Sequence, residues 1–122
     1  MTPTVHEGRD EMNTTVSLTE LAAMELASAL ASNNGRSAVT VCGGRDAQLR
    51  QTVMALRAGE GLSEHSSPGE ATLQVLTGSI TLRTSDQSWH GKVGDLMPIP
   101  AEVHAVDALE DCAFLLTVVK AQ

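Results

Sequence analysis

The sequence from Gly59 to Gly78 reads GEGLSEHSSPGEATLQVLTG and carries the strongest structural signal in the chain. It contains one histidine, His65, then a Pro-Gly pair, and then apolar and polar residues in alternation. The alternation continues beyond Gly78 in ITLR, residues 80–83. A period of two residues is typical of a half-buried β-strand, and the glycine between the two runs indicates a tight turn. This stretch therefore predicts a β-hairpin with one apolar face.

The parity of this hairpin divides its side chains between two environments. The residues expected inside are apolar: Leu73, Val75, Ile80 and Leu82. The residues expected outside are polar: Thr72, Gln74 and Arg83.

Short β patterns with turn residues at intervals of about ten continue through the rest of the chain, which is typical of an all-β sandwich or barrel. Eight strands are predicted: Ala38–Cys42, Leu49–Arg57, Thr72–Leu76, Ile80–Thr84, Gln87–His90, Asp95–Ile99, Val103–Ala108 and Cys112–Val119. No internal repeat is present, so we expect one antiparallel barrel over residues 37–120.

The region before the barrel contains one helix signal. Ser17-Leu-Thr-Glu20 has the form of a capping box, and Asn33-Asn-Gly35 supplies a stop, so a helix is predicted over residues 17–34. Its apolar stripe consists of Leu18, Leu21, Ala22, Leu26, Ala29 and Leu30. We expect this amphipathic helix to pack on the barrel, and we expect residues 1–16, which lack either period, to form a flexible lead-in.

Composition excludes several classes of function. The 122-residue chain carries a formal charge of −7 and no run of basic residues, so nucleic acid is not expected as a partner. No apolar segment is long enough for a membrane helix or a secretory signal, which predicts a cytoplasmic protein without membrane contact. Cys42 and Cys112 are not spaced as metal ligands, and we expect two buried free thiols.

The stretch from Gly59 resembles the first motif of the cupin family, G(X)5HXH(X)3-4E(X)6G. The resemblance places His65 on its first histidine and Gly78 on its last glycine, with Ser67 at the second histidine and Ala71 at the glutamate. A later stretch, residues 94–104, is similar to the second motif, G(X)5PXG(X)2H(X)3N, although His104 comes one residue early. The resemblance implies an antiparallel cupin jelly-roll barrel of the single-barrel type, preceded by the N-terminal helix.

In the family, three histidines and one glutamate hold a metal ion inside the barrel, and the resemblance retains only His65 and His104 from that set. Two imidazoles hold a divalent ion such as Zn, Fe, Mn or Ni weakly. Glu70 could replace the missing carboxylate if a bulge turned it inward, and Gln74 could offer an amide oxygen, although its parity places it outside. Glu64 could orient His65, whereas His90 is expected at an exposed edge and His6 in solvent.

Three functions are compatible with these residues. The first is a small stand-alone barrel that binds an unspecified small molecule or a weakly held divalent metal through His65 and His104, without catalysis. The second is a metal-dependent oxygenase or isomerase acting on a small carboxylate-bearing substrate, which needs Glu70 or Gln74 as a further ligand. The third is a structural or interaction module whose interior is filled by side chains such as Met54 and Met97.

Two further expectations concern partners. With one Trp, one Phe and no Tyr, the chain has few rings on which a flavonoid or a nucleotide sugar could stack. A homodimer is expected from family habit and from Leu76, which faces outward beside the helix.

Overall fold

The computed structural model describes residues 14–66 and 69–120. The elements within these ranges are α1 (Leu18–Ala31), β1 (Arg36–Cys42), β2 (Leu49–Leu56), β3 (Gly61–His65), β4 (Gly69–Thr77), β5 (Ser79–Arg83), β6 (Ser88–Lys92), β7 (Leu96–Pro98), β8 (His104–Ala108) and β9 (Cys112–Lys120). The strands form a five-stranded sheet, β1-β2-β9-β4-β7, and a four-stranded sheet, β3-β8-β5-β6. Every pairing is antiparallel. The predicted all-β architecture with one N-terminal helix is therefore confirmed.

The core lies between the inner faces of the two sheets. It contains Leu56, Leu73, Val75, Ile80, Leu82, Met97, Val106, Ala108, Cys112 and Phe114. The four residues expected inside from the parity of the first hairpin are at most 1% exposed. Met97 belongs to this core, and Met54 packs against it. Both side chains were expected in the interior if side chains fill it. Alternation along β4 and β5 therefore identified the inner face.

The alternate side chains of the same two strands, β4 and β5, face away from the core. Thr72, Gln74 and Arg83 are partly exposed there. Arg83 crosses the outer face of the four-stranded sheet, where its Nε donates to Asp107 Oδ2 at 2.6 Å. Such exposed pairs contribute little to folding, so this sheet is held mainly by its apolar inner face.

Helix α1 begins at the predicted cap, where Ser17 Oγ accepts from the backbone amide of Glu20 at 3.2 Å. It covers the outer face of the five-stranded sheet through small side chains. Ala22 and Ala29 of the helix form one buried cluster with Ala55 and Ala113 of the sheet. Alanine at the contact allows the helix axis to lie close to the strands.

Two leucines depart from expectation at this contact. Leu30 was assigned to the buried stripe of α1 but is 45% exposed, because the stripe that packs is centred on Ala22, Leu26 and Ala29. Leu76 is partly buried against the alanine cluster, so the chain's own helix covers the apolar surface on which the homodimer expectation partly rested. The homodimer itself stays a prediction.

The turn between β4 and β5 explains the glycine that closes the opening stretch. Gly78 has φ of 75°, a left-handed conformation that favours glycine. A Cβ atom there would stand 2.2 Å from the carbonyl oxygen of Asp111. Gly78 therefore lets the hairpin turn against the segment that leads into β9.

Sequence periodicity predicted eight strands, and the structure adds β3 as a ninth. Its sequence, GLSEH, has one large apolar residue, Leu62, which packs against the core. The strand lies at the edge of its sheet, where it pairs only with β8. A short edge strand that buries one side chain has no recognisable period, which is why it was not predicted.

The two cysteines are free, and they pair with distant positions of the strand between them, β2. Cys42 pairs with Gln51, whereas Cys112 pairs with Leu56, five residues further along the strand. At about 3.4 Å per residue the two positions are separated by roughly 17 Å, too far for a disulfide. Cys112 is buried as expected, and Cys42 is half-buried. Among the described residues, no helix has the length and apolar character needed to cross a membrane.

Candidate functional site

His104, the first residue of β8, is a buried ionisable side chain of the barrel interior. It is 2% exposed, and its neighbours along the strand, Ala105 and Val106, are equally buried. Its Nδ1 lies 3.0 Å from the carbonyl oxygen of Glu102, two residues earlier. Because a carbonyl oxygen can only accept, Nδ1 carries the hydrogen, and in the neutral ring the lone pair lies on Nε2.

The residue at position 102 therefore serves the site through its backbone. The segment between Pro100 and His104 is one residue shorter than in the second cupin motif. That shorter turn still delivers His104 to the start of its strand, with Glu102 contributing a carbonyl oxygen below the ring. Position 102 itself is exposed, so a glutamate side chain is tolerated where the motif has glycine.

His65 is the last residue of β3, and its backbone pairs with that of His104. The register of this pair shifts between Leu62 and His65. A shift of this kind is a β-bulge, in which two residues of one strand oppose one residue of the other. Without the bulge, the regular pairing would set Glu64 opposite His104. The backbone thus brings together the two predicted histidines, while the side chain of His65 lies outside the described part of the structure.

The two residues proposed as extra ligands occupy the other face of β4. Glu70 is exposed and pairs with Val119 in a ladder that stays regular from Gly69 to Val75. No bulge occurs between Gly69 and Val75 to turn the Glu70 carboxylate inward. Gln74 is partly exposed and pairs with Leu115 and with Leu96. The structure therefore does not place Glu70 or Gln74 on the face that carries Leu73 and Val75.

The other residues singled out in the sequence have different outcomes. Ala71 has the parity of Leu73 and pairs with Val118, so it occupies an inner position without a ligating atom. Ser67 lies outside the described residues, as does His6. The carboxylate of Glu64 stands 3.9 Å from Arg83 on the outer face. Among the side chains that the structure describes, no three His, Cys, Asp or Glu lie close enough together to hold a metal ion.

A cleft that sequence reasoning missed lies at the seam between the two sheets, where β6 and β7 are neighbouring edges. Its volume is about 490 Å³. It is lined by Leu82, Trp89, His90, Asp95, Leu96, Met97, Pro98, Ile99 and Pro100. A Cβ atom at Gly91 would come within 2.3 Å of Met97 Sδ, so this glycine lets Met97 of β7 pack directly against β6.

The seam could not be predicted because its two walls belong to different sheets. Strand β6 follows β5 in one sheet, whereas β7 pairs with β4 in the other. His90 was expected at an exposed edge, and it is exposed on β6, with Nδ1 2.9 Å from Thr81 Oγ1. The sequence feature that could have indicated the cleft is Trp89 next to His90, in a strand too short to be buried on both faces.

Comparison with known proteins supports the fold. No protein-family model matches the chain, and no curated protein does either. A conserved protein of unknown function from Streptococcus pyogenes is 28% identical, with a TM-score of 0.66 over 75% of this chain and 79% of that one. A cupin superfamily protein from Desulfitobacterium hafniense is 18% identical, with a TM-score of 0.67 over 75% of this chain and 83% of that one.

A third solved structure gives the same result. An RmlC-like cupin protein from Desulfovibrio desulfuricans is 24% identical, with a TM-score of 0.59 over 69% of this chain and 81% of that one. Together with the topology, these similarities show the single-barrel fold of the cupin superfamily. A fold of this kind serves many chemistries, so the function has to be argued from the residues.

Proposed function

We propose that this cupin barrel is a binding protein that holds a small molecule or a weakly held divalent metal ion through His65 and His104. The observation that carries the proposal is the imidazole of His104, which is 2% exposed and fixed by a 3.0 Å contact with the carbonyl oxygen of Glu102. Burying a polar ring costs free energy unless its polar atoms are paired. The contact with Glu102 offsets this cost and fixes the orientation of the ring.

The orientation of this ring favours one class of ligand over another. With its hydrogen on Nδ1, the ring of His104 in its neutral form carries its lone pair on Nε2. A metal ion, or an organic ligand that offers an N–H or O–H group, can use that lone pair. A carboxylate or phosphate ligand would need a second hydrogen on the ring. Metal-binding histidines commonly have this arrangement, in which the other ring nitrogen donates to a backbone carbonyl.

The expected affinity is low because the ligand set is short. Tight protein sites for Zn²⁺ use three or four protein ligands. Here the proposal relies on His65 and His104, with Ala71 at an inner position that contributes no donor. A metal ion held in this way would exchange readily with the solution. The ion would supply a charged centre for a small ligand's oxygen or nitrogen atoms.

Catalysis is not part of the proposal. The oxygenase or isomerase interpretation needed Glu70 or Gln74 as a further ligand beside the two histidines. Both residues lie on the face of β4 opposite to Leu73 and Val75. A barrel that holds an ion through two imidazoles is better suited to reversible binding than to turnover.

Metal titration of the untagged, full-length protein tests the proposal. Isothermal titration with Zn²⁺ and with Ni²⁺ should show one weak site, and the side-chain NMR signals of His104 should shift on binding. His104→Gln and His65→Gln should each weaken binding at least about tenfold, equivalent to about 1.4 kcal/mol. His90→Gln and Glu70→Gln are the matched controls, since both residues are exposed, and neither should change the affinity.

Two results would overturn the metal arm of the proposal. One is binding that His104→Gln leaves unchanged while the variant stays folded. The other is the absence of any saturable heat or NMR shift with either ion. If a small-molecule screen by NMR then also failed to perturb His104, the whole proposal of an interior binding site would be wrong.

A further inference from the structure

The cleft between β6 and β7 has the dimensions and lining of a second binding site. Its volume of about 490 Å³ lies within the range of small-molecule sites. The buried imidazole of His104 is not among the residues that line it. Most of the lining side chains are apolar, and the polar ones are His90 and Asp95. This is the usual composition of a pocket for an organic ligand.

The apolar wall leaves large side chains in water. Trp89 is 40% exposed and Leu96 is 62% exposed on facing edges of the seam. Pro98 and Pro100 extend the same wall. Proline offers no backbone N–H group, so this part of the β7 edge presents apolar surface with few hydrogen-bond donors. A ligand seated here should have an apolar body.

Asp95, at the turn before β7, is the acidic side chain in the lining of the cleft. Its Oδ2 accepts from the backbone amide of Lys92 at 3.0 Å, which fixes the carboxylate. A carboxylate has acceptor capacity for further donors. Within residues 14–66 and 69–120, no Lys or Arg side chain forms an ion pair with Asp95. The chain as a whole carries a formal charge of −7, so its field favours a cation at this position.

From these observations we infer that the cleft binds a small amphiphilic ammonium ion. The alkyl or aryl body lies along Trp89 and Leu96, and the ammonium group pairs with Asp95. A carboxylate-bearing ligand of the same shape would place its negative charge against Asp95 and would be rejected. A neutral alcohol would keep the apolar contacts but lose the ion pair.

The single tryptophan makes the inference directly measurable. The chain has one Trp and no Tyr, so emission excited at a wavelength selective for tryptophan comes from the cleft alone. Octylamine, octanol and octanoate are suitable probes because they share a chain length and differ in charge. Titration of the full-length protein at low salt should shift the emission of Trp89 in a saturable way. The affinity should decrease in the order octylamine, octanol, octanoate.

Two variants separate the contributions of charge and apolar surface. Asp95→Asn keeps an acceptor for the Lys92 amide, and it should weaken octylamine binding about three- to fivefold while leaving octanol unchanged. Leu96→Ser, at an exposed position, should weaken octylamine and octanol by a similar factor. The preference for the amine should also decrease at high salt, because an exposed ion pair is screened.

The test distinguishes this site from the interior one. His104→Gln should leave the tryptophan titration unchanged, so failure of the metal experiment would not affect this result. The inference would be overturned if octanoate bound as tightly as octylamine, or if Asp95→Asn left the amine affinity unchanged. A linear, unsaturable response of Trp89 to all three probes would show that the cleft is not a binding site.

Discussion

The two ends of the barrel differ in packing, and strand β9 shows the difference along its length. Its first four residues, Cys112–Leu115, are buried, the next three are partly exposed, and Val119 is 41% exposed. Strand β2 runs antiparallel and shows the same gradient, from Leu49, which is 42% exposed, to Leu56, which is fully buried. The barrel therefore has a packed end and an open end.

The difference separates stability from binding. The packed end contains Phe114 and Leu56, the two largest fully buried side chains, on neighbouring strands. The open end contains the buried imidazole of His104, with Ala71 on an inner position of β4. The polar ring of His104 therefore lies at the end of the barrel away from Phe114 and Leu56. Substitutions at the two ends should consequently have different effects.

Matched truncations on β9 should give the largest difference. Phe114→Ala removes a fully buried ring and should lower the free energy of unfolding by about 3–5 kcal/mol. Val118→Ala lies four residues along the same strand with the same parity, but its side chain is only partly buried. It should cost less than about 1 kcal/mol. Urea denaturation of both variants measures the two values.

This comparison has a clear contrary result. If Val118→Ala were as destabilising as Phe114→Ala, the open end would be packed as tightly as the other. If Phe114→Ala does not fold, Phe114→Leu provides the weaker substitution, and its cost should still exceed that of Val118→Ala.

The thiol of Cys112 should make the packed end sensitive to alkaline pH. Burial raises the pKa of Cys112 from 9.0 to about 11. Below pH 9 the thiol is protonated in the folded and the unfolded chain alike. Between about pH 9 and pH 11 the unfolded chain loses this proton first, so the free energy of unfolding should decrease as the pH rises. The decrease attributable to Cys112 should be about 2–3 kcal/mol.

Measuring stability from pH 8 to pH 11.5 for the parent and for Cys112→Ala tests this expectation. The variant should be less stable at pH 8, and its curve should decrease less steeply above pH 9. Cys42→Ala is the control and should keep the slope of the parent. Parallel curves for the parent and Cys112→Ala would contradict a buried, protonated thiol.

Much of the fold could be predicted because its strands are regular where they pack. The alternation around Leu73 and Leu82 identified the inner face, and Ser17 identified the start of the helix. The predictions were wrong or incomplete where a strand buries few side chains, or where neighbouring helix residues compete for the same contact. Strand β3 buries one large apolar side chain. In the helix, Ala29 packs on the sheet, whereas the larger Leu30 is exposed.

The site could be predicted only in part, for a related reason. His104 was found from the resemblance, but the bond from its Nδ1 depends on the turn geometry at Glu102, which no sequence pattern specifies. The register shift in β3 is equally invisible to periodicity. Glu70 was considered as a ligand because a bulge could have turned it inward, and the regular ladder of β4 keeps it outside. The seam cleft depends on how the two sheets meet.

A carboxylate introduced at the open end should convert the weak interior site into a tighter one. Ala71 shares its parity with Leu73, so Ala71→Glu would present its side chain on the inner face of β4, toward the interior that contains His104. We expect Zn²⁺ to bind about tenfold more tightly, a gain of about 1.4 kcal/mol, because a third protein ligand is added. Thr72→Glu is the matched control on the same strand with the opposite parity, and it should leave the affinity unchanged.

The pair of glutamate variants tests the site and the open end together. The partly exposed environment of Ala71 should accept a carboxylate without unfolding, whereas a glutamate at the fully packed end would be buried without a partner. If both variants tightened Zn²⁺ binding equally, the gain would come from negative charge alone. If neither did, Ala71 would not lie beside the lone pair of His104, and the interior site would have to be built from other residues. A gain confined to Ala71→Glu would establish that the open end retains the geometry of a metal site that lacks a ligand.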